Sequence, residues 1–161
     1  MKFSNGCWLQ KERTECFGPA EVFETKRDDN SITFCAPTHK INHRGDTLGG
    51  PNLTIKISAP MPEVIRVQTF HYMGVIDHGP NFELEIDENA SIVIEDLDGS
   101  YKLSSGSLNL VINKSNATMQ FNRDDYKLTD SKWRDLAYIK TDFKGLAYEK
   151  IGRASCRERV S

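Results

Sequence analysis

The sequence predicts an all-β protein built as an antiparallel β-sandwich. Apolar and polar residues alternate with period two in many short segments, which is typical of half-buried strands. Turn-forming residues separate these segments at close spacing. Before residue 130 no segment shows an apolar stripe at i, i+3, i+4 and i+7 of helical length. Together these observations favour a sandwich, although they do not fix the order in which the strands pair.

The strand predictions follow the alternation along the chain. Segments 32–36 and 53–58 each place three apolar side chains on one face, and Leu53, Ile55 and Ile57 form the clearer set. Segment 64–72 is apolar on both faces and therefore predicts a strand buried on both sides. The further strands are expected at 82–87, 91–95, 108–112 and 119–121.

Turn chemistry supports these boundaries. Turns are expected at 28–30, 60–62, 79–81, 98–99 and 113–116, which are rich in Asp, Asn, Gly and Pro. Residues 129–150 are less clear. Trp133, Leu136, Tyr138 and Ile139 fit either a last strand or a helical turn, and 140–150 look like a connector.

Length and composition exclude several classes of protein. The 161 residues suffice for one domain but not for a (β/α)₈ barrel, which needs roughly 250. A net charge of −2 without a basic patch argues against a nucleic-acid partner. We find no secretory signal and no apolar run of the roughly 18 residues that span a membrane, so we expect a cytoplasmic protein without a membrane partner. Cys7, Cys16, Cys35 and Cys156 are then expected to be reduced thiols.

Residues 151–161 differ from the rest of the chain. They show neither strand alternation nor an apolar stripe, and three arginines fall between Arg153 and Arg159. Reverse translation can give a nucleotide string that looks like a common sequencing adapter. We therefore interpret 151–161 as a non-native tail and exclude it from fold reasoning. A genuine disordered basic tail is the alternative.

Several basic or metal-ligating patterns have a structural and a functional interpretation. Arg44-Gly45-Asp46 matches a cell-adhesion tripeptide, but Gly-Asp is also good turn chemistry. His39 and His43 would share a face on a helix and could bind a metal, yet Pro37 indicates a loop. His71 is expected in a strand and His78 in a turn-like stretch. We favour the structural interpretation of all four histidines and expect no metal site and no cofactor.

The acidic residues also have both a structural and a functional interpretation. Glu83, Glu85 and Asp87 fall on one face of a predicted strand, where solvated charge also discourages edge pairing. Glycosidase chemistry needs two carboxyl groups about 5–9 Å apart across a sugar. The pairs Asp28/Asp29 and Asp124/Asp125 are not shown by the sequence to meet that need, and adjacent acids in turns are usually turn residues.

Other candidates are weaker. The sequons at Asn52, Asn89 and Asn116 have no meaning without export. Four aromatic residues could stack on a sugar ring, although isolated aromatics more often belong to the core. They are Trp8, Phe17, Trp133 and Tyr138. The residues alone therefore lead to a β-sandwich and leave its function open.

Several segments, in order, resemble the N-terminus of α-xylosidases of glycoside hydrolase family 31. The opening MKFSNGCWL is similar, and the most specific stretch is INHRGDTLGGP at 41–51, which runs into Leu53-Thr54 and 58–60. Segments 64–67 and 79–84 (GPNFEL) continue the resemblance, together with His71. It covers roughly residues 1–140 and stops at the tail.

This resemblance implies a galactose-mutarotase-like N-terminal domain at 1–140, the start of a connector toward a catalytic barrel at 141–150, and the non-native tail at 151–161. The two catalytic aspartates of similar enzymes lie on that barrel, so no catalytic residue is assigned here and substrate-binding residues are unknown. Similar enzymes remove α-xylosyl units from xyloglucan-type oligosaccharides with retention and without a metal. The expected partners are the barrel and the carbohydrate substrate, and a homo-oligomer is left open. The alternative is a stand-alone carbohydrate-binding or scaffold β-sandwich.

Overall fold

The computed structural model describes residues 14–71, 85–87, 89–132, 135–141 and 150–151. Within them the chain forms strands and one short 3₁₀ helix, Arg44–Leu48. The strands are β1 Thr14–Phe17, β2 Glu24–Asp28, β3 Ser31–Pro37, β4 Asn52–Met61, β5 Val64–Phe70, β6 Val93–Leu97, β7 Ser100–Ser105, β8 Leu108–Asn113, β9 Met119–Arg123, β10 Tyr126–Ser131, β11 Tyr138–Thr141 and β12 Lys150–Ile151.

The strands form three antiparallel sheets. One has the order β2-β3-β4-β5, the second β10-β9-β8-β7-β6, and a small third sheet the order β1-β11-β12. The first two are meanders, since consecutive strands are hydrogen-bonded neighbours. One buried cluster draws side chains from both meanders, so they pack face to face as a sandwich. The predicted all-β antiparallel sandwich is confirmed, while its galactose-mutarotase-like type stays a prediction.

The core consists of alternate side chains on the two inner faces. In β4 the residues Leu53, Ile55 and Ile57 are fully buried and their neighbours are not. Leu110 and Ile112 of β8 are also fully buried on the facing sheet. The other core members on the two sheets are Ile32, Phe34, Ala36, Ala59, Tyr101, Leu103, Met119 and Phe121. The alternation at 32–36, 53–58, 108–112 and 119–121 therefore predicted the inner faces correctly.

Two strand predictions were wrong in detail. Segment 64–72 was expected to be buried on both sides, but β5 ends at Phe70 and is only partly buried, because it forms the edge of its sheet. His71 lies in the bend after it, and Tyr72 lies outside the described residues. The strand expected at 91–95 is displaced to Val93–Leu97.

The strand predicted at 82–87 is not present in its described part, 85–87. Asp87 forms a turn there: its backbone N–H donates to the Pro60 carbonyl at 3.0 Å, and its carboxylate accepts from the Asn89 N–H at 2.9 Å. These hydrogen bonds take the place of the strand-to-strand hydrogen bonds that a β-strand would make here. Residues 82–84 and His78 lie outside the described residues.

In the last segment Tyr138 and Ile139 lie in a strand, which was one of the two expected alternatives, and Leu136 lies in the turn before it. β11 pairs with β1 and with β12, and Tyr138 lies opposite both Phe17 and Ile151. Ile151 is the first residue of the predicted non-native tail, and residues 152–161 lie outside the described part. The predicted domain boundaries at 140 and 150 stay predictions.

An exposed charge cluster joins the edges of the two meanders. Asp96 on β6 accepts from Arg27 on β2 at 2.9 Å and also pairs with Lys114. The Lys114 ammonium lies 4.5 Å from the centroid of the Tyr101 ring, and Tyr101 OH lies 3.3 Å from Thr25 Oγ1. The hydrogen bond from Lys114 lowers the pKa of Asp96, and the same bond raises the pKa of Lys114.

The sandwich has two ends with different connections. We call the end with the β3–β4 loop (residues 38–51) the loop end, and the end with the turns at 28–31, 61–64, 105–108 and 123–126 the hairpin end. At the hairpin end Glu63 accepts from the Ser107 N–H at 2.7 Å and from Ser107 Oγ at 2.6 Å. These bonds lower the pKa of Glu63 and join one sheet to the other.

Gly106 is required by this junction. Its φ is +60°, and a Cβ at this position would overlap the Glu63 carboxylate. Gly99 has a φ of +78° but open space around it. We expect Gly99→Ala to lower the free energy of unfolding by about 1–2 kcal/mol through backbone strain alone. Gly106→Ala should cost more, because the Glu63–Ser107 bonds are lost as well, and urea denaturation measures both values. Equal losses in the two variants would contradict this account of Gly106.

The two perturbed junction carboxylates also predict a pH dependence. Asp96 and Glu63 have folded pKa values below their ordinary values. Their contribution to stability is therefore present above the unfolded pKa, near 4, and is lost as the pH falls below it and through the lower folded pKa. Lys114 has a raised folded pKa, so its contribution to stability is present below the unfolded pKa and is lost as the pH rises through the folded pKa. We expect the urea midpoint to fall from about pH 5 downward, and to fall less steeply in Asp96→Asn; an unchanged slope in that variant would be contrary evidence.

Candidate functional site

The β3–β4 loop, residues 38–51, is closed at its base by polar contacts. The Thr38 hydroxyl and backbone N–H both donate to the Pro51 carbonyl, at 2.9 and 3.2 Å. Further along, the Ile41 N–H donates to the Glu21 carboxylate at 2.7 Å. The loop is therefore closed at its base and anchored to the β1–β2 connection.

The 3₁₀ helix inside this loop is capped by its own side chains. The Asp46 carboxylate accepts from the backbone N–H groups of Asn42 and His43, at 2.9 and 3.2 Å. His43 Nδ1 accepts from the Gly45 N–H at 3.2 Å, which completes a capping box. Asp46 is thus used to hold the loop. Arg44-Gly45-Asp46 therefore forms the kind of turn that its Gly-Asp pair predicts.

The two loop histidines have separate structural roles. His39 Nε2 bonds to the Asp46 carbonyl, while His43 caps the helix and lies 3.3 Å from Asp46 through Nε2. In the part of the chain that the structure describes, no group of three or more His, Cys, Asp or Glu residues could hold a metal ion. The sequence suggested the loop but not these partners, because Asp46 approaches them only after the 3₁₀ turn forms.

A shallow pocket of about 140 Å³ lies against this loop. Its wall includes Phe23, Cys35, Pro37, His39, Ile41 and Pro51. Phe23 is 55% exposed, and Leu48, at the end of the 3₁₀ helix, is 91% exposed. The loop end therefore presents apolar side chains to solvent on a backbone fixed by hydrogen bonds. Cys35 is a free thiol here, while Cys7 and Cys156 lie outside the described residues.

The acidic candidates are distributed over separate turns. Asp28, beside Asp29 in the β2–β3 turn, accepts from Ser31 Oγ at 3.3 Å. Asp124, beside Asp125 in the β9–β10 turn, has a φ of +49° and donates its N–H to the Ser107 carbonyl. Asp87 forms the turn described above, Glu85 is exposed, and Glu83 lies outside the described residues.

The aromatic candidates that the structure describes, Phe17 and Tyr138, pack against neighbouring rings. The Phe17 and Tyr138 rings lie 6.1 Å apart, and the His71 ring stacks on Tyr138 at 4.0 Å. Tyr138 is only 5% exposed, so its face is not open to a sugar. Trp8 and Trp133 lie outside the described residues. Phe17 and Tyr138 therefore fit the interpretation that these aromatic residues belong to the core.

The asparagines of the three sequons lie in turns or at the start of a strand. Asn116 accepts from the Thr118 N–H and hydroxyl, at 3.0 and 2.8 Å. Asn89 donates to the Asp87 carboxylate at 3.2 Å. Asn52 is the first residue of β4 and lies opposite Pro37.

A cleft that the sequence did not predict crosses β8, β9 and β10. It has a volume of about 300 Å³, and its polar lining is Asn113, Thr118, Gln120, Asp130, Ser131 and Lys132. The Ser131 hydroxyl is buried and has no hydrogen-bond partner among the described residues. Other groups of the cleft are already paired locally: Asp130 with Lys127, and Gln120 with Asn122. No sequence signal could have found it, because it depends on how three strands pair.

The described residues thus form an antiparallel β-sandwich domain whose two main sheets pack face to face. No protein-family model matches the chain. It is 31% identical over 141 residues to the α-xylosidase XylQ of Lactiplantibacillus pentosus, covering 86% of this chain and 18% of that protein. It is 26% identical over 167 residues to an α-xylosidase of Emericella nidulans, covering 94% of this chain and 21% of that protein.

Solved structures show the same fold. A cycloalternan-forming enzyme from Listeria monocytogenes, in complex with a pentasaccharide substrate, superposes with a TM-score of 0.57 at 16% identity. An uncharacterised protein of Listeria monocytogenes EGD-e gives a TM-score of 0.57 at the same identity. Each match covers 78% of this chain and 11% of the other.

The predicted resemblance to the N-terminal domain of family 31 α-xylosidases is confirmed by these matches. The chain spans about a fifth of the length of the curated relatives it matches. Separately, the described residues include no helix with the length and apolar character that a membrane span needs.

The loop contacts give a local prediction. Asp46→Ala removes the acceptor of two loop N–H groups, so we expect the 3₁₀ helix to open and trypsin to cleave after Arg44 faster than in the unaltered chain. A lost cap of this kind costs about 0.5–2 kcal/mol locally. Asp125→Ala is the matched control, since it removes an acid from a turn far from the loop. Limited proteolysis followed by mass spectrometry measures both, and equal cleavage after Arg44 in the two variants would argue against the capping role.

Proposed function

We propose that this chain is the N-terminal, non-catalytic domain of a retaining α-glycosidase, an α-xylosidase that hydrolyses terminal α-xylosyl units of xyloglucan-type oligosaccharides. The observation behind the proposal is the 31% identity to an α-xylosidase over 86% of this chain but only 18% of that enzyme. A (β/α)₈ barrel needs roughly 250 residues, so the catalytic part lies elsewhere in such an enzyme.

The placement of the acids supports a non-catalytic role. A retaining glycosidase needs two carboxyl groups only about 5–5.5 Å apart on either side of the glycosidic bond. Asp28, Asp87 and Asp124 lie in three different turns, and the carboxylates of Asp28 and Asp87 accept hydrogen bonds within their own turns. The domain is then inactive alone, and its partners are its own catalytic barrel and, through the whole enzyme, the carbohydrate. We place that enzyme in the cytoplasm and assign it no metal.

The test has a genetic and an enzymatic part. Sequencing the source DNA across codon 150 and several hundred bases beyond should show an open frame that continues into a barrel with two well-separated catalytic aspartates. The encoded parent should release xylose from 4-nitrophenyl α-xyloside, whereas the 161-residue chain should give no release above buffer. A frame that encodes residues 151–161 and then stops, or turnover by the chain alone, would refute the proposal.

One observation favours a second candidate, a carbohydrate-binding sandwich. The cleft across β8, β9 and β10 combines amide, hydroxyl and charged groups with the unpaired Ser131 hydroxyl. Titration calorimetry of the chain with a xyloglucan heptasaccharide separates the candidates. Binding that is weakened in Gln120→Ala would support the second candidate, and the absence of heat would support the first.

A further inference from the structure

A pocket lies between the outer face of the first sheet and the β3–β4 loop, and we call it the loop pocket. Glu24 of β2 lies opposite Cys35 of β3. Cys35 alternates with the buried Phe34 and Ala36, so these two pocket residues lie on the face away from the core. The loop is held over this face by its own hydrogen bonds, such as the one from the Thr38 hydroxyl. The loop pocket is therefore preformed, as most small-molecule sites are.

One side of the loop pocket is apolar and carries an exposed aromatic ring. Phe23 is 55% exposed, and Pro37, Ile41 and Pro51 continue the wall. The face of an aromatic ring is electron-rich, so it can receive the C–H groups of a flat sugar ring. Sites for drug-sized ligands usually have volumes of about 300–1,000 Å³, whereas the loop pocket has about 140 Å³. It therefore suits a single ring.

The other side of the loop pocket offers hydrogen-bonding groups with free capacity. Glu24 and Asn52 line it, and in the part of the chain that the structure describes neither side chain forms a hydrogen bond or an ion pair. His39 donates from Nε2 to the Asp46 carbonyl, so Nδ1 of its neutral ring is left as an acceptor. An apolar occupant would remove these groups from water without giving them a partner, which costs free energy. The hydroxyl groups of a sugar would pair with them.

We propose that the loop pocket is a non-catalytic subsite for one neutral pyranose unit of the oligosaccharide, with Phe23 as the stacking ring and Glu24 and Asn52 as partners of its hydroxyl groups. This inference rests on the proposed function for the class of carbohydrate, and it adds a contact with that carbohydrate outside the catalytic part of the enzyme. The subsite is separate from the cleft across β8, β9 and β10, because the loop pocket is formed by the first sheet and its loop.

Titration calorimetry of the 161-residue chain with a xyloglucan heptasaccharide measures this interaction. Phe23→Ala removes the stacking ring, and we expect the association constant to fall at least about tenfold, which corresponds to about 1.4 kcal/mol. Tyr126→Ala is the matched control, since Tyr126 is an aromatic residue that is 74% exposed at the hairpin end, and it should bind as the unaltered chain does. Glu24→Ala changes an exposed residue of edge strand β2, so the fold should be kept while binding falls by about tenfold as well.

The outcomes separate the two proposals, because the parent enzyme is assayed independently on 4-nitrophenyl α-xyloside. An active parent together with no heat from the chain at millimolar heptasaccharide would overturn the subsite and leave the proposed function intact. Binding that Gln120→Ala weakens and Phe23→Ala does not would assign the sugar to the cleft and overturn the inference. Equal binding in Phe23→Ala, Glu24→Ala and Tyr126→Ala would also overturn it. Binding that depends on Phe23 in the chain, with an inactive parent, would support the subsite and refute the function.

Discussion

Burial of alternate side chains between the two meanders is the interaction on which the rest of this domain depends. Phe34 and Ile55 on one sheet, and Leu103 and Leu110 on the other, are almost completely removed from water. Each such side chain contributes about 1.5–3 kcal/mol when buried. Exposed ion pairs such as Arg27–Asp96 contribute much less, because water and salt screen their charges. Burial of apolar side chains is therefore the dominant contribution to stability, and the polar contacts form within the geometry that this core sets.

The polar contacts at the perimeter determine how the two sheets are joined rather than whether they associate. Asn30 in the β2–β3 turn donates to the Ala90 carbonyl at 2.8 Å and accepts from the Ile92 N–H at 2.9 Å, so its amide replaces a backbone partner. It fixes the connection into β6 against the first sheet. Glu63 at the hairpin end and Asp96 at the β2–β6 edges make comparable links. Single hydrogen bonds contribute about 0.5–1.5 kcal/mol net, and their direction supplies specificity that the apolar core lacks.

Most strands that bury one face were predicted from sequence, but β7, which buries Tyr101 and Leu103, was missed. The exposed edge strands β2 and β10 were not predicted either. Segment 53–58 shows the alternation that β4 needs, whereas edge strands β2 and β10 consist mainly of exposed polar residues and give no periodic signal. Segment 82–87 alternates as well, yet at Asp87 local hydrogen bonds to Pro60 and Asn89 favour a turn. At the candidate site the loop was predictable from Pro37 and the glycines. The capping by Asp46 and the cleft beside Ser131 depend on contacts that form only in the fold.

The organisation of the β3–β4 loop links this stability argument to function. The backbone N–H groups of Thr38 and Asn42 find acceptors within the loop, and that of Ile41 donates to Glu21 of the β1–β2 connection. The loop therefore has a defined shape without burying its own apolar residues. Burial of Leu48 would stabilise the domain by about 1.5–3 kcal/mol, and the isolated sandwich does not gain it. A rigid loop limits the conformational entropy that is lost on association, which otherwise opposes binding. Such a loop loses little free energy while it stays exposed in the separate domain, and it gains the most free energy when a second surface covers it.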